Sequence, residues 1–235
     1  MSNTKIRFII EQAREEKREL LTEYESKLIL SELGINTPPI MIAKTREEVA
    51  EKASSLGFPI VMKIHSPDIA HKSDIGCVVV GIGSVEESIE AYDKIMNSAA
   101  KNVPMARIQG VSVQTMADKD IEIIIGMKRD PVFGPTVLFG LGGIFVELIK
   151  DISLRVYPFT DQDVGTMIKE IKGYPLLRGY RGQQKRDIDA IKAVIHKIAE
   201  LAVQVNEIQE IDLNPIFVYE KGICAVDARI LLDFW

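Results

Sequence analysis

With only two cysteines in 235 residues the chain has no disulfide framework, and Cys77 and Cys224 each stand in an apolar strand-like run, as buried thiols do. A basic surplus is missing too. The 29 lysines and arginines are outnumbered by 34 aspartates and glutamates, and the net charge of −5 argues against non-specific nucleic-acid binding. No apolar run approaches the roughly 20 residues that cross a bilayer. At the start, Phe8-Ile9-Ile10 is followed at once by charged residues, unlike a signal peptide. A cytoplasmic protein with neither nucleic acid nor membrane as partner is expected. The 46% hydrophobic and 27% charged content is that of an ordinary globular chain, long enough for one large domain or two modest subdomains.

The common phosphate-loop signatures are absent as well. No Gly-x-x-x-x-Gly-Lys-Ser/Thr occurs, and Gly81-Ile82-Gly83 lacks the third glycine of a dinucleotide fingerprint. Gly140-Leu141-Gly142-Gly143 does join an apolar strand to Ile144-Phe145-Val146-Glu147, a place where backbone amides can approach a polyphosphate.

What is present reads as alternating elements. Thr4 to about Glu32 is one long or two consecutive helices, with Thr22-Glu23-Tyr24-Glu25 a capping box that restarts the second and Gly34 ending it. Strands at Pro39 to Ala43, Pro59 to Ile64 and Cys77 to Ile82 alternate with helices that start at Thr45 and Ser84, each with glutamate three residues on. This makes a compact α+β or α/β first unit. From Arg107 the chain turns β-rich: Val111 to Met116, Asp120 to Lys128, Thr136 to Gly140 and Ser153 to Tyr157. Helices follow at Thr160 to Ile171 and at Asp187 to Val205, the latter with one apolar stripe from Ile188 to Val205. The natural division is into residues 1–106 and 107–235.

The closing segment carries the sharpest pattern. In Glu210 to Pro215 the period-two alternation puts Glu210, Asp212 and Asn214 on one face and Ile211 and Leu213 on the other. A two-residue reversal at Glu220-Lys221 pairs Tyr219 with Gly222, and the same register sets Asn214 opposite Asp227. An amide oxygen facing a carboxylate, with Asp212 two residues away, is a hard-oxygen half-shell of the kind Mg²⁺ takes when phosphates and water complete it. The alternative is an exposed polar face on an edge hairpin.

Lys63 is out of place in the apolar run Ile60 to Ile64; it either snorkels to solvent or binds phosphate. His71, in the polar loop His71 to Gly76, is a competent nucleophile toward phosphorus if the site calls for one, although most loop histidines are surface residues. His196 reads as a boundary residue of its helix. Arg178, Arg181, Lys185 and Arg186 form a basic cluster that grips an anion or is simply solvated.

Together, Leu21-Thr22-Glu23-Tyr24-Glu25, Ala70-His71-Lys72-Ser73-Asp74, Lys128-Arg129-Asp130-Pro131-Val132-Phe133-Gly134-Pro135, Phe139-Gly140-Leu141-Gly142-Gly143 and Asp212-Leu213-Asn214-Pro215 resemble the beta subunits of ADP-forming acetyl-CoA synthetases, relatives of the succinyl-CoA synthetase beta subunit. The resemblance runs from Leu21 to Leu232. It implies an ATP-grasp fold of class α+β (α/β), with ATP or ADP between two subdomains and Mg²⁺ as cofactor. By position, Lys63 resembles the phosphate-binding lysine, and Val113 to Met116, with Val113, Gln114 and Met116 as contacts, the hinge that meets adenine. Glu122 resembles a family carboxylate, and Asn214 and Asp227 match the magnesium ligands. Asp212 stands where an acidic residue contacts an incoming phosphohistidine, and His71 matches a second phosphoryl carrier. Cys77 departs from the usual glycine and Thr115 from a frequent glutamate.

No CoA-binding domain and no second histidine-bearing ligase domain are visible, so the resemblance implies an alpha subunit that carries both, in an α2β2 assembly. The activity implied is acyl-CoA + ADP + Pi ⇌ carboxylate + CoA + ATP. A non-catalytic nucleotide-sensing subunit and a self-contained ATP-grasp ligase are the rival readings; the first would not need His71, and the second would need an acceptor-substrate domain.

Overall fold

The structure is a computed structural model that describes residues 4–69, 71–143, 150–182 and 184–234. Ala70 and the run from Ile144 to Glu147 lie outside the described residues. Two helices open the chain, α1 (Thr4–Glu15) and α2 (Glu23–Glu32). Between them the Thr22 hydroxyl accepts from the Glu25 amide, and the Glu25 carboxylate accepts from the Thr22 amide at 2.7 Å, which is the expected capping box. Gly34, at φ +65°, takes the left-handed turn that ends the segment.

The chain divides into two units, each described by itself: Thr22–Glu25 with Pro38–Ala117, and Met1–Leu21 with Ser26–Thr37 and Asp118–Trp235. The smaller holds β1 (Ile40–Ala43), α3 (Arg46–Leu56), β2 (Ile60–His65), β3 (Val78–Ile82), α4 (Val85–Asn102) and β4 (Gly110–Thr115), with strand order β1-β4-β2-β3. Thr45 and Ser84 cap α3 and α4 through the amides of Glu48 and Glu87. Val49 and Ala53 of α3 and Ala91, Ile95 and Ala99 of α4 pack with Ile60, Met62 and Ile64 in one core, so helices cover one face of this sheet.

The larger unit contains β5 (Ile121–Asp130), β6 (Gly134–Leu141), β7 (Ile152–Val156), α5 (Asp161–Glu170), α6 (Tyr174–Leu177), α7 (Ile188–Gln204), β8 (Ile208–Val218), β9 (Ile223–Ala225) and β10 (Arg229–Leu232). Its strand order is β10-β8-β5-β6-β7, with β9 also on β8. The α7 stripe packs as read: Ile191, Val194, Ile195, Ile198, Leu201, Ala202 and Val205 are buried, with Ile188 half-buried beside them. Each fully buried isoleucine contributes about 1.5–3 kcal/mol relative to an exposed one. Every strand pair in both sheets is antiparallel, so of the expected class the α+β form holds.

The division at 106/107 needs correction. β4 pairs with both β1 and β2, so the smaller unit runs on to Ala117. α1, and α2 from Ser26 on, belong to the larger unit. Ile6, Ile9, Ile10 and Ala13 of α1 and Ile29, Leu30 and Leu33 of α2 join the core of the larger unit, because their apolar faces pack with β5, β6 and β8.

A change of parity in β8 prepares the site. Ile211 and Leu213 face the core before Asn214, whereas Ile216 and Val218 face it after Pro215. Ile123 pairs with Ile216 and Ile125 with Leu213, so Asn214 and Pro215 together oppose the single residue Ile124 in a β-bulge. The Asn214–Pro215 peptide is cis.

Candidate functional site

In the smaller unit, alternation along β2 sends Ile60, Met62 and Ile64 into the core and Lys63 to the other face, where its residue exposure is 6%. Lys63 does not snorkel to water. Its ammonium donates to Glu23 Oε1 at 2.7 Å, and Lys72 Nζ stands 3.5 Å from the second oxygen of the same carboxylate. Ser112 and Gln114, both buried, share this face with Lys63, since Lys63 pairs with Ser112 and Val61 with Gln114. His71 is exposed, just before a turn closed by the Cys77 amide donating to the Lys72 carbonyl at 2.9 Å. His65 instead meets the Tyr24 ring edge-on at 6.2 Å.

Val113, expected to meet adenine through its backbone, lies within the sheet. Its side chain is fully buried in the core, and its main chain lies between β1 and β2, opposite Met41 and Met62. Gln114 stays on the polar face, and Met116 sits just beyond the strand, partly exposed, with its amide donating to the Pro59 carbonyl at 3.1 Å.

The larger unit carries the oxygen donors. The Tyr219 amide donates to the Gly222 carbonyl, and Val218↔Ile223, Phe217↔Cys224 and Ile216↔Ala225 follow in the expected register. The ladder then breaks, and it resumes on β10 with Asp212↔Arg229 and Ile211↔Ile230. Counting inward from either side of the gap places Asn214 opposite Asp227. Asn214 is exposed, Asp212 and Asp227 are half-buried, and all three lie on the face away from the core. Glu122 shares that face, because it pairs with Phe217 while its neighbour Ile123 points inward.

Burial pushes the Asp212 carboxyl above the usual aspartate range; Arg229 opposes this and the charges of Glu210 and Asp227 add to it. An amide and a carboxylate facing across a ladder gap, in a field of like negative charge, fit magnesium chemistry: all donors are hard oxygens. Among the described residues no three His, Cys, Asp or Glu side chains gather around a metal position, so these two could supply only part of a shell.

The glycine turn has a packing reason of its own. A Cβ on Gly140 would stand 2.8 Å from the Asp151 carbonyl oxygen, and one on Gly142 3.0 Å from Glu122 Cβ. The Gly142 amide already donates to the Glu122 carbonyl at 2.8 Å, which ties the turn to the strand of that carboxylate. In the basic cluster, Arg186 is bound to Asp120 at 2.6 Å, whereas Arg178, Arg181 and Lys185 are exposed. His196 is the boundary residue expected, beside Phe159 and 3.6 Å from Asp161. Glu23 and Lys72 are the site residues that residue-by-residue reading missed; the only signal was the apolar setting of Lys63, which demands a counter-charge.

The model of the ATP-grasp domain matches residues 12–232. The chain belongs to the ATP-grasp family, among the beta subunits of ADP-forming acetate–CoA ligases. It is 49% identical over 228 residues to the acetate–CoA ligase [ADP-forming] I subunit beta of Pyrococcus furiosus, covering 97% of this chain and 98% of that one. Acetyl-coenzyme A synthetase 1 of Ca. Korarchaeum cryptofilum, solved with coenzyme A and Ca-AMPCP, superposes with a TM-score of 0.93 at 48% identity, over 97% of this chain and 99% of that chain. A second structure of that enzyme, with coenzyme A and Mg-AMPPCP and its phosphohistidine segment pointing towards the nucleotide binding site, gives a TM-score of 0.85 at 44% identity over 97% and 99% of the two chains.

Proposed function

We propose that the chain is the nucleotide-binding beta subunit of an ADP-forming acetyl-CoA synthetase and transfers a phosphoryl group between phosphohistidine and ADP. What carries the reading is the polar sheet face with Glu122, Asp212, Asn214 and Asp227, in a chain that matches such beta subunits from end to end. A partner alpha subunit, in an α2β2 assembly, converts acyl-CoA and phosphate to acyl phosphate and CoA. Its own histidine then takes the phosphoryl group from the acyl phosphate, forming a P–N bond as the P–O bond to the acyl group breaks and the carboxylate leaves.

The group passes to His71, or directly to ADP. In the step at this chain, an oxygen of the ADP β-phosphate forms the new P–O bond as the P–N bond breaks, and the imidazole keeps the electron pair. Lys63 offsets charge on the outer phosphates. Asn214 and Asp227 would hold a magnesium ion, which would supply further charge neutralisation at the phosphates. Asp212 orients the incoming histidine, Gln114 and Met116 border the base, and Glu122 fixes the nucleotide near the glycine turn. Positioning and electrostatics are the protein's share of this chemistry, which fits a site made of a lysine, carboxylates and an amide.

The test is acyl-CoA formation from acetate, CoA and ATP. The purified chain alone is expected to show none, and activity is expected once a subunit with a CoA-binding domain and its own phosphohistidine is added. Robust turnover by the chain alone would overturn the subunit reading in favour of a self-contained ligase.

A further inference from the structure

Glu23 occupies the first turn of α2, directly after the Thr22 cap, so the capping box fixes where its side chain starts. That side chain is 3% exposed, and its two oxygens reach two different lysines: Lys63 at 2.7 Å and Lys72 at 3.5 Å. Lys63 belongs to β2, whereas Lys72 follows His71 in the loop beyond it. A carboxylate this deep stays charged only with close counter-charges, and two ammonium groups meet that need. Lys72 gives up water to take part, since its side chain is only 17% exposed although it stands in a polar loop.

The two ends of the loop are fastened differently. At the far end the Ile75 carbonyl accepts from the Ser98 hydroxyl at 2.6 Å and from Asn102, both on α4. At the near end the bond from the Cys77 amide to the Lys72 carbonyl shapes the turn from within, and the Lys72 ammonium joins it to Glu23.

We infer that Glu23 is a positioning residue: through Lys72 it seats the His71 loop against the carboxylate that also holds Lys63. One buried group thus sets both the phosphate-binding lysine and the phosphoryl carrier. The inference rests on the reading of His71 as that carrier, and the experiment separates the two.

Lys72→Met removes the tether while leaving Glu23 paired with Lys63, so the variant keeps its buried ion pair. Hydrogen exchange at the Cys77 amide is expected to quicken about tenfold, because its acceptor moves with Lys72. The initial rate of His71 labelling from ATP carrying a labelled γ-phosphate is expected to fall about tenfold, with ATP affinity unchanged within about twofold. Lys72→Arg should restore both readouts. Adding Glu23→Gln to Lys72→Met should quicken the Cys77 exchange no further, since the tether is already cut.

Unchanged exchange at Cys77 in Lys72→Met would overturn the tether. Faster exchange with an unchanged labelling rate would overturn the positioning role. If His71→Ala, run in parallel, keeps the full label, the carrier reading fails by itself, and the exchange result still decides the tether.

Discussion

In the smaller unit the charge comes already paired: Glu23 holds Lys63 at 2.7 Å and stands 3.5 Å from Lys72. In the larger unit Asp212 and Asp227 share a sheet face with Asn214 and Glu122, and burial with like charge drives the Asp212 carboxyl upward. The contrast is in what each half asks of a ligand. A lysine with its own carboxylate keeps a fixed position whether or not an anion is bound, which is preorganisation at a cost in desolvation. A row of oxygens gains most from an arriving cation. The proposed function gives the first arrangement to phosphates and the second to a metal.

The largest expected effect breaks the paired half. Lys63→Ala leaves Glu23 buried without its closest counter-charge, and removing one partner of such a pair costs about 3–5 kcal/mol of stability. In the folded fraction ATP should weaken about a hundredfold while AMP changes little, because the ammonium is aimed at the outer phosphates. Titrations with both nucleotides check this. A matched loss for ATP and AMP would make Lys63 purely structural.

A smaller effect sharpens the other half. Asp227→Asn should weaken nucleotide binding about tenfold in the presence of Mg²⁺ and much less in its absence, since the lost charge belongs to the metal's shell. Calorimetry with and without the ion measures the difference. Equal losses would return Asp212, Asn214 and Asp227 to a structural edge.

The smallest effect concerns the turn that carries that edge. Asp187 caps α7 through the Ala190 amide at 2.9 Å and also accepts from the Gly222 amide at 2.7 Å, which holds the β8–β9 turn. Hydrogen bonds from Gly222 and then Ala190 hold its carboxyl below the usual aspartate range. A depressed folded pKa contributes stability that is present above the ordinary aspartate range and is lost as the pH falls through the lowered value. Asp187→Ala should therefore cost about 1 kcal/mol near neutrality, and the deficit should shrink in acid. Urea melts across that range read it directly; a pH-independent deficit would mean that the charge contributes nothing.

The parts of the fold written in local chemistry were legible in the sequence. Thr22, Thr45 and Ser84 cap their helices, and the turn residues Tyr219 and Gly222 set a register that holds on both sides of the ladder gap. What depends on distant packing was not. The amphipathic face of α1 gives no hint that its partner lies more than a hundred residues on, in β5, β6 and β8. Glu23 passed as a helix-start residue because its partner is 40 residues away, and Arg186 passed as part of a cluster although Asp120 claims it.

The central claim is that phosphoryl groups move between ATP and a histidine of this chain. Incubating the chain with Mg²⁺ and ATP labelled at the γ-phosphate, quenching in base and mapping the label tests it most directly. The account predicts an acid-labile phosphoryl-protein with the label on His71, lost in His71→Ala while nucleotide affinity stays within a few-fold. Label on His65 or His196, or labelling at the wild-type level in His71→Ala, would contradict it.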